Sequence, residues 1–338
     1  MDVANRDMFQ AEATLKRFSK IKPLLQNGVF DEAFLHHERA AVSGKRLYHR
    51  VGRFAIFLIF ISAIYTIAEA LILTNAAETV WLNYLFAALA VVGIALQAFI
   101  IFTKQKDKWL VNRFACERIR SLKFQSFHLG DNAEDEAQLK ELVQAFSERH
   151  LSRLENDLNT GLSLLDRFSP AKALETPTHS KAKDADPVIA QQTRDAYEEL
   201  RVRYQINFAS SEVGRLKQKV RAVTSVQDVT YFTAVGMAFL SLGLKIFDAN
   251  HFIPTAYVDF FAITLFVSGA TKTITDNALL QEQSQSRYEA YITNLEHAFL
   301  METNRKATLD ELVDRVERIS LNELDHFCQD ALLVSYRF

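Results

Sequence analysis

The first residue of chemical interest is a carboxylate inside an apolar run. Glu69 lies in FAIFLIFISAIYTIAEALILT, Phe54 to Thr74, and Ser62, Tyr65 and Thr66 precede it on one side of the helix that this run would form. A carboxylate in such a run is costly and faces protein or water rather than hydrocarbon. It is either a pore-lining or gating acid, or a helix–helix hydrogen-bonding group close to the helix end. A second set of hydroxyls, Thr264, Ser268, Thr271 and Thr275, steps by four, three and four. That stripe suits a water-facing wall, although small hydroxyl residues also mediate close packing between membrane helices. The candidates for a water path are therefore Ser62, Thr66, Glu69, Thr264, Ser268, Thr271 and Thr275. Gly236 and Gly243, seven apart, mark a close-packing face.

Basic residues flank the apolar runs. Lys45, Arg46, Arg50 and Arg53 precede the first, while Lys104, Lys106, Lys108 and Arg113 follow the second. Arg215, Lys217, Lys219 and Arg221 precede a third. Charges so placed receive an anionic ligand such as a nucleotide, or they set topology and bind anionic lipid. His36 and His37 are adjacent, so HHER lacks the i, i+4 pair of a zinc helix. Cys116 and Cys328 have no metal-type spacing and are expected to be reduced thiols. The chain has no phosphate-cradling glycine loop, no G-x-S-x-G and no CxxC. The expectation is a non-enzyme with no cofactor and no metal.

The elements that must position these groups are apolar and long. The first run and VWLNYLFAALAVVGIALQAFIIFT, ending at Thr103, each approach the ~20 residues that cross a ~30 Å hydrocarbon core. The link Asn75–Thr79 carries Glu78 and no Lys or Arg, whereas both outer flanks are basic. This asymmetry places both ends of the hairpin in the cytoplasm. Val229 to Phe247 and Ala256 to Thr275 form a second hairpin around DANHFIP; Asp259 and Lys272 weaken its last segment. Only 10 Gly and 5 Pro in 338 residues favour long helices over turn-rich β structure. A net charge of −2 lacks the basic excess of a nucleic-acid binder, so no direct DNA or RNA binding is expected. Mean hydropathy near zero averages apolar runs with highly charged ones. The N-terminal eighteen residues are amphipathic and carry acids, so the first apolar run is expected to serve as the insertion signal.

The fold class expected is an all-α integral membrane protein: two pseudo-repeated transmembrane hairpins with long cytoplasmic helical extensions. Residues 1–29 form a polar N-terminal helix, and 30–168 a first repeat with spans 54–74 and 81–103. Residues 169–188 are a proline-containing linker, and 189–338 a second repeat with spans 229–247 and 256–275. The second run is expected to continue in helical register through WLVNRFACERIRSLKFQSF, with Trp109 as an interfacial anchor. HLGDN breaks that helix at Gly130, where Asp131 or Asn132 can cap the next. Ala133–Leu165 and the segment from Leu309 to Phe327 are amphipathic by steps of three and four; they are expected to pack on each other as pseudo-equivalent parts, with the membrane-proximal layer mediating oligomerisation.

The order of lead-in helix, apolar hairpin, extension, break and amphipathic helix occurs twice. ELVQAFSERHLSRLENDL from Glu141 can be set beside ELVDRVERISLNELDHF from Glu311, and NRFACERIRSL from Asn112 beside SRYEAYITNL from Ser286. Both halves resemble the SLATT superfamily, the SMODS- and SLOG-associating two-transmembrane effector domains. The features carrying the resemblance are the basic pre-membrane helix, the tight hairpin, and WLVNRFACERIRS with Trp109, Arg113 and Glu117 on one helix. The second half lacks the Trp but keeps Arg287, Tyr288 and Tyr291. The resemblance covers roughly Phe30 to Phe338 as a tandem fusion. The SMODS-associated four-transmembrane effectors are similar too.

The resemblance implies a multi-pass protein of the bacterial inner membrane, with N- and C-termini cytoplasmic, serving an antiphage or conflict system. It would oligomerise and disrupt the membrane or conduct ions when triggered. The implied partners are membrane lipid, further copies of the chain, and a cyclic-oligonucleotide ligand or cytoplasmic sensor protein. The alternative is a non-conducting scaffold recruiting a cytoplasmic sensor or enzyme.

Overall fold

Sparse glycine and proline let helices run long, and the few breaks have local causes. The computed structural model describes residues 5, 7–71, 80–159, 174, 185–246, 255–278, 281–305 and 308–333. Among them every regular element is helical. Helix α1 (Glu12–Arg17) leads through a 3-10 turn, Ser19–Ile21, into α2 (Lys22–Leu25). Pro23 sits in the first turn of α2, where the N–H it lacks has no intrahelical partner to lose. Asn27 then caps α3 (Gly28–Leu71): its Oδ1 accepts from the N–H groups of Val29 at 3.0 Å and Phe30 at 3.3 Å.

Helix α4 (Val80–Phe102) does not continue in register into the next. Lys104 adopts φ 50°, a left-handed conformation, and its N–H reaches the Ile101 carbonyl at 3.2 Å. Helix α5 (Gln105–Gln125) starts afresh, so the expected continuous extension is interrupted by one tight turn. A 3-10 segment, Ser126–Asn132, follows. Gly130 is needed there because a Cβ would lie 2.8 Å from Thr193 Cγ2. The cap of α6 (Glu136–Asn159) is Asp135, whose Oδ1 accepts from the Gln138 N–H at 2.7 Å; it is neither Asp131 nor Asn132. Asn132 instead donates its Nδ2 to the His128 carbonyl at 3.2 Å.

Asp186 caps α7 (Pro187–Tyr197), which passes through a π-helical stretch, Glu198–Arg203, into α8 (Tyr204–Ile246). Then come α9 (Thr255–Ala278), α10 (Gln281–Arg305) and α11 (Leu309–Leu333). Thr308 and Glu311 exchange side-chain-to-backbone bonds of 3.3 and 3.2 Å, a capping box that starts α11.

Two compact units result, and neither coincides with a half of the chain. The first comprises Met1–Ser43, Lys108–Arg215 and Gln283–Leu332; the second comprises Gly44–Asp107, Leu216–Glu282 and Leu333–Phe338. Each half therefore gives its apolar helices to one unit and its flanks to the other. The first unit has an ordinary apolar interior. Leu139 and Val143 of α6 share one cluster with Leu309, Leu312 and Val316 of α11, while Leu151 and Leu154 share another with Leu324 and Cys328. The second unit reverses the usual pattern. Among the described residues, all the large exposed hydrophobics except Val29, Leu35, Val188, Leu300 and Leu332 belong to it. Trp81 is 63 % exposed and Phe102 83 %.

Two helical segments are long and apolar enough to cross a membrane, by length and composition: one ending at Leu71 and one spanning Trp81–Phe102. Only 22 % and 11 % of their most apolar windows are buried, so neither is the enclosed core helix of a globule. In the second hairpin, Ala256–Leu265 is a shorter apolar helix among the described residues. The loop expected around residues 247–254 lies outside them.

Candidate functional site

In the second unit the polar side chains of α3 meet α4. Ser62 is 5 % exposed, and its Oγ lies 2.9 Å from the carbonyl oxygens of both Leu58 and Phe86. One turn further on, the Tyr65 ring stacks on Phe86 with centroids 4.0 Å apart, and its hydroxyl donates to Asn83 Oδ1 at 2.6 Å. Asn83 Nδ2 in turn donates to Glu69 Oε1. At the other end of the hairpin Gly93 lets the helices touch: a Cβ there would lie 2.8 Å from Ile59 Cγ1 and 3.0 Å from the Ala55 carbonyl oxygen. These contacts keep a constant antiparallel register, each step forward on α3 answering a step back on α4. Thr66 faces outward but bonds the Ser62 carbonyl at 3.0 Å. Ser62, Tyr65 and Glu69 thus each reach a hydrogen-bond partner on α4, which makes their side of α3 a helix–helix seam.

On α9 the Ser268 hydroxyl donates to the Thr264 carbonyl at 2.7 Å, and Thr264 Oγ1 is buried without a partner among the described residues. Thr271 and Thr275 continue along the same helix, with side chains outside the described set. The sequence reading missed Asn83, the partner of both Tyr65 and Glu69. It also missed Gln97, whose Nε2 is buried and unpartnered among the described residues. The available signal was polarity: both are amides in an otherwise apolar run.

The basic residues separate into different environments. Lys45, Arg46, His49, Arg50 and Arg53 line a recess of about 590 Å³ with Phe54 and Phe57. Burial, with Lys45 and Arg53 nearby, pushes the His49 imidazole down to about 4, so it is neutral at pH 7. Arg215 is engaged by Glu212. Lys104 forms the left-handed turn, with Lys106 and Lys108 beginning α5; Lys217 is on α8, as are Lys219 and Arg221, whose side chains are outside the described set.

Arg113 pairs with carboxylates in an ionic layer of the first unit. Its Nη2 lies 2.5 Å from Glu117 Oε1 and its Nη1 3.8 Å from Glu38. Arg120 holds both oxygens of Glu117 at 2.8 and 2.7 Å, Asp7 at 3.1 Å and the Asn5 side chain at 2.8 Å. Burial pushes the Glu117 carboxyl up, but Arg113, Arg120 and Arg201 together outweigh it and hold it down at about 2. Arg201, in the π-helical stretch, forms a two-pronged pair with Glu317 at 2.7 and 2.8 Å, and Tyr197 donates to the same carboxylate at 3.2 Å. Lys123 Nζ donates to the Met8 carbonyl at 2.6 Å and lies 2.9 Å from Asp31. Burial lowers the Lys123 ammonium and raises the Asp31 carboxyl, each partly restored by the other.

The residues carrying the family resemblance therefore converge. Trp109 is buried edge-to-face against Phe327, and the Arg287 guanidinium lies 5.1 Å from the same ring while pairing with Glu323 and Asp330. Arg113 and Arg287, the positions set beside each other in the two halves, both enter ionic contacts, with partners from different elements. Cys116 and Cys328 share one apolar cluster, and burial raises both thiols, Cys328 to about 12. Such thiols are unreactive at neutral pH. No grouping of His, Cys, Asp or Glu able to hold a metal ion occurs among the described residues. Comparison with protein-family models, with curated proteins and with solved structures finds no match to this chain.

Proposed function

We propose that this chain is a membrane-embedded effector of the tandem SLATT type, with four crossings and both termini cytoplasmic, and not an enzyme. Further copies would assemble with it, and a cyclic oligonucleotide or a cytoplasmic sensor protein would trigger it to disrupt the bilayer or conduct ions. The observation that carries the reading is the reversal in the second unit, where large apolar side chains face outward while Ser62, Tyr65, Asn83 and Glu69 bond inward. That arrangement matches a hydrocarbon surrounding. It also matches a resting effector, because a hairpin with a hydrogen-bonded seam presents no open water path.

The same seam favours a second reading, a non-conducting scaffold that recruits a cytoplasmic partner. Controlled expression combined with dye release from vesicles separates the two. The effector reading expects triggered leakage that is abolished when Thr264, Ser268 and Thr271 are replaced by Leu with insertion preserved. Glu69→Gln is expected to alter ion preference more than expression. Leakage identical to the parent in both variants makes these polar residues packing surfaces rather than pore lining, and no leakage under any trigger favours the scaffold. Reporter fusions at Asn75 and Asn250 should read external and at Ser180 and Phe338 cytoplasmic; an external Ser180 overturns the four-crossing topology.

A further inference from the structure

We propose that the face of α3 formed by Arg46, Arg50, Arg53, Phe54 and Phe57 binds the phosphate headgroup of an anionic membrane lipid. The inference rests on the reading of the hairpin as membrane-crossing, and it assigns that hairpin a specific lipid. Arg46, Arg50, Arg53 and Phe57 follow at steps of four, three and four, so they form one stripe. Together they line a recess with no carboxylate among its described lining residues. The sequence supplies none nearby on the helix either, since no Asp or Glu occurs between residues 39 and 68. Other cations of the chain are already committed: Arg113 to Glu117 and Glu38, Arg120 to Asp7 and Glu117, Arg215 to Glu212. No ion pair to Arg46, Arg50 or Arg53 occurs among the described residues.

Three guanidinium groups on one face match phosphate chemistry, because each presents planar paired donors that hold two phosphate oxygens at once. His49 among them is neutral at pH 7 and adds a hydrogen-bonding edge rather than charge. A lipid is favoured over a soluble phosphate ligand because the stripe runs on into exposed aromatic surface. Phe54 and Phe57 are 55 % and 53 % exposed and lead directly into the apolar run. A soluble anion covers the arginines and leaves those rings bare, whereas a lipid covers the arginines with its headgroup and the rings with its acyl chains. The described lining of the recess also comes from α3 alone, with no second described wall to enclose a nucleotide base.

The test uses the full-length protein, purified in neutral detergent and returned to nanodiscs of phosphatidylcholine with or without phosphatidylglycerol. Native mass spectrometry and thermal unfolding read lipid retention and stabilisation. The parent should retain phosphatidylglycerol preferentially. Replacing Arg46, Arg50 and Arg53 with Gln should weaken its apparent affinity by about fivefold per arginine, on the order of a hundredfold for all three. The triple Lys variant keeps the charge and its topological signal but loses the paired donors, and should lie between parent and triple Gln. Equal retention of the two lipids overturns the proposal, as does a triple Gln variant that binds like the parent. Saturable binding of inorganic pyrophosphate that needs these arginines without any lipid preference overturns it in favour of a soluble ligand. Recovery of the protein from membranes without detergent refutes the hairpin reading itself, an outcome distinct from detergent-dependent protein lacking lipid preference.

Discussion

Glu117→Gln is the most informative single change in the ionic layer. It removes the negative charge that Arg113 and Arg120 share at 2.5 to 2.8 Å, and the other carboxylate of α5, Asp107, lies toward the far end of the helix. Among the described carboxylates, Arg113 then keeps Glu38, at 3.8 Å, while Arg120 keeps Asp7. The depression of the Glu117 carboxyl from 4.5 to about 2 corresponds to on the order of 3 kcal/mol of native-state stabilisation. Breaking one partner out of a buried ion pair costs a similar ~3–5 kcal/mol, so the two routes agree. The sign of the pH dependence follows from the direction of the shift. A carboxyl with a depressed folded value contributes its stabilisation above pH 4.5 and loses it as pH falls toward 2. The assay is urea unfolding of the full-length protein in detergent, in a Trp81→Phe background so that buried Trp109 reports on the first unit. The parent should exceed the variant by on the order of 3 kcal/mol at pH 7, and the gap should close toward pH 2. A gap that stays constant across that window would refute the assignment of the stabilisation to ionised Glu117.

Three further outcomes are expected. Gly93→Val drives a side chain into Ile59 and the Ala55 carbonyl, and should cost ~1–3 kcal/mol as a loss of thermal stability in detergent. Leu142→Asp combined with Leu312→Asp places two carboxylates against one apolar cluster, since Leu312 is 2 % exposed and Leu142 packs on the same cluster. This pair should lower the urea midpoint of the first unit and disrupt assembly on size-exclusion chromatography; an unchanged elution profile and midpoint would count against a shared core. Lys104→Gly relieves the left-handed φ of 50° and should raise stability by about 1 kcal/mol, measured in the same urea titration.

Part of this protein is determined by the sequence on its own, because the governing physics is local. Composition and the near absence of glycine and proline make the chain helical, and uninterrupted length makes Phe54–Thr74 and Val80–Thr103 apolar enough to span a bilayer. The capping box at Thr308 and Glu311 is likewise a three-residue relation. The contact of Arg113 with Glu117 is one helical turn and could be read from spacing alone.

Tertiary structure decided the rest, where partners are far apart in the chain. Spacing puts Ser62, Tyr65 and Glu69 on one side of a helix, but the register with α4 turns that side into a seam by supplying Asn83 and the Phe86 carbonyl. Arg113 looks like one more juxtamembrane cation until Glu38, seventy-five positions earlier, and the rest of the layer enclose it. Arg201 and Glu317 are 116 residues apart, and no periodicity of either helix announces that they meet. Charge in a sequence specifies only that a partner or water must be found; the fold selects which, by deciding what each side chain is taken out of water beside.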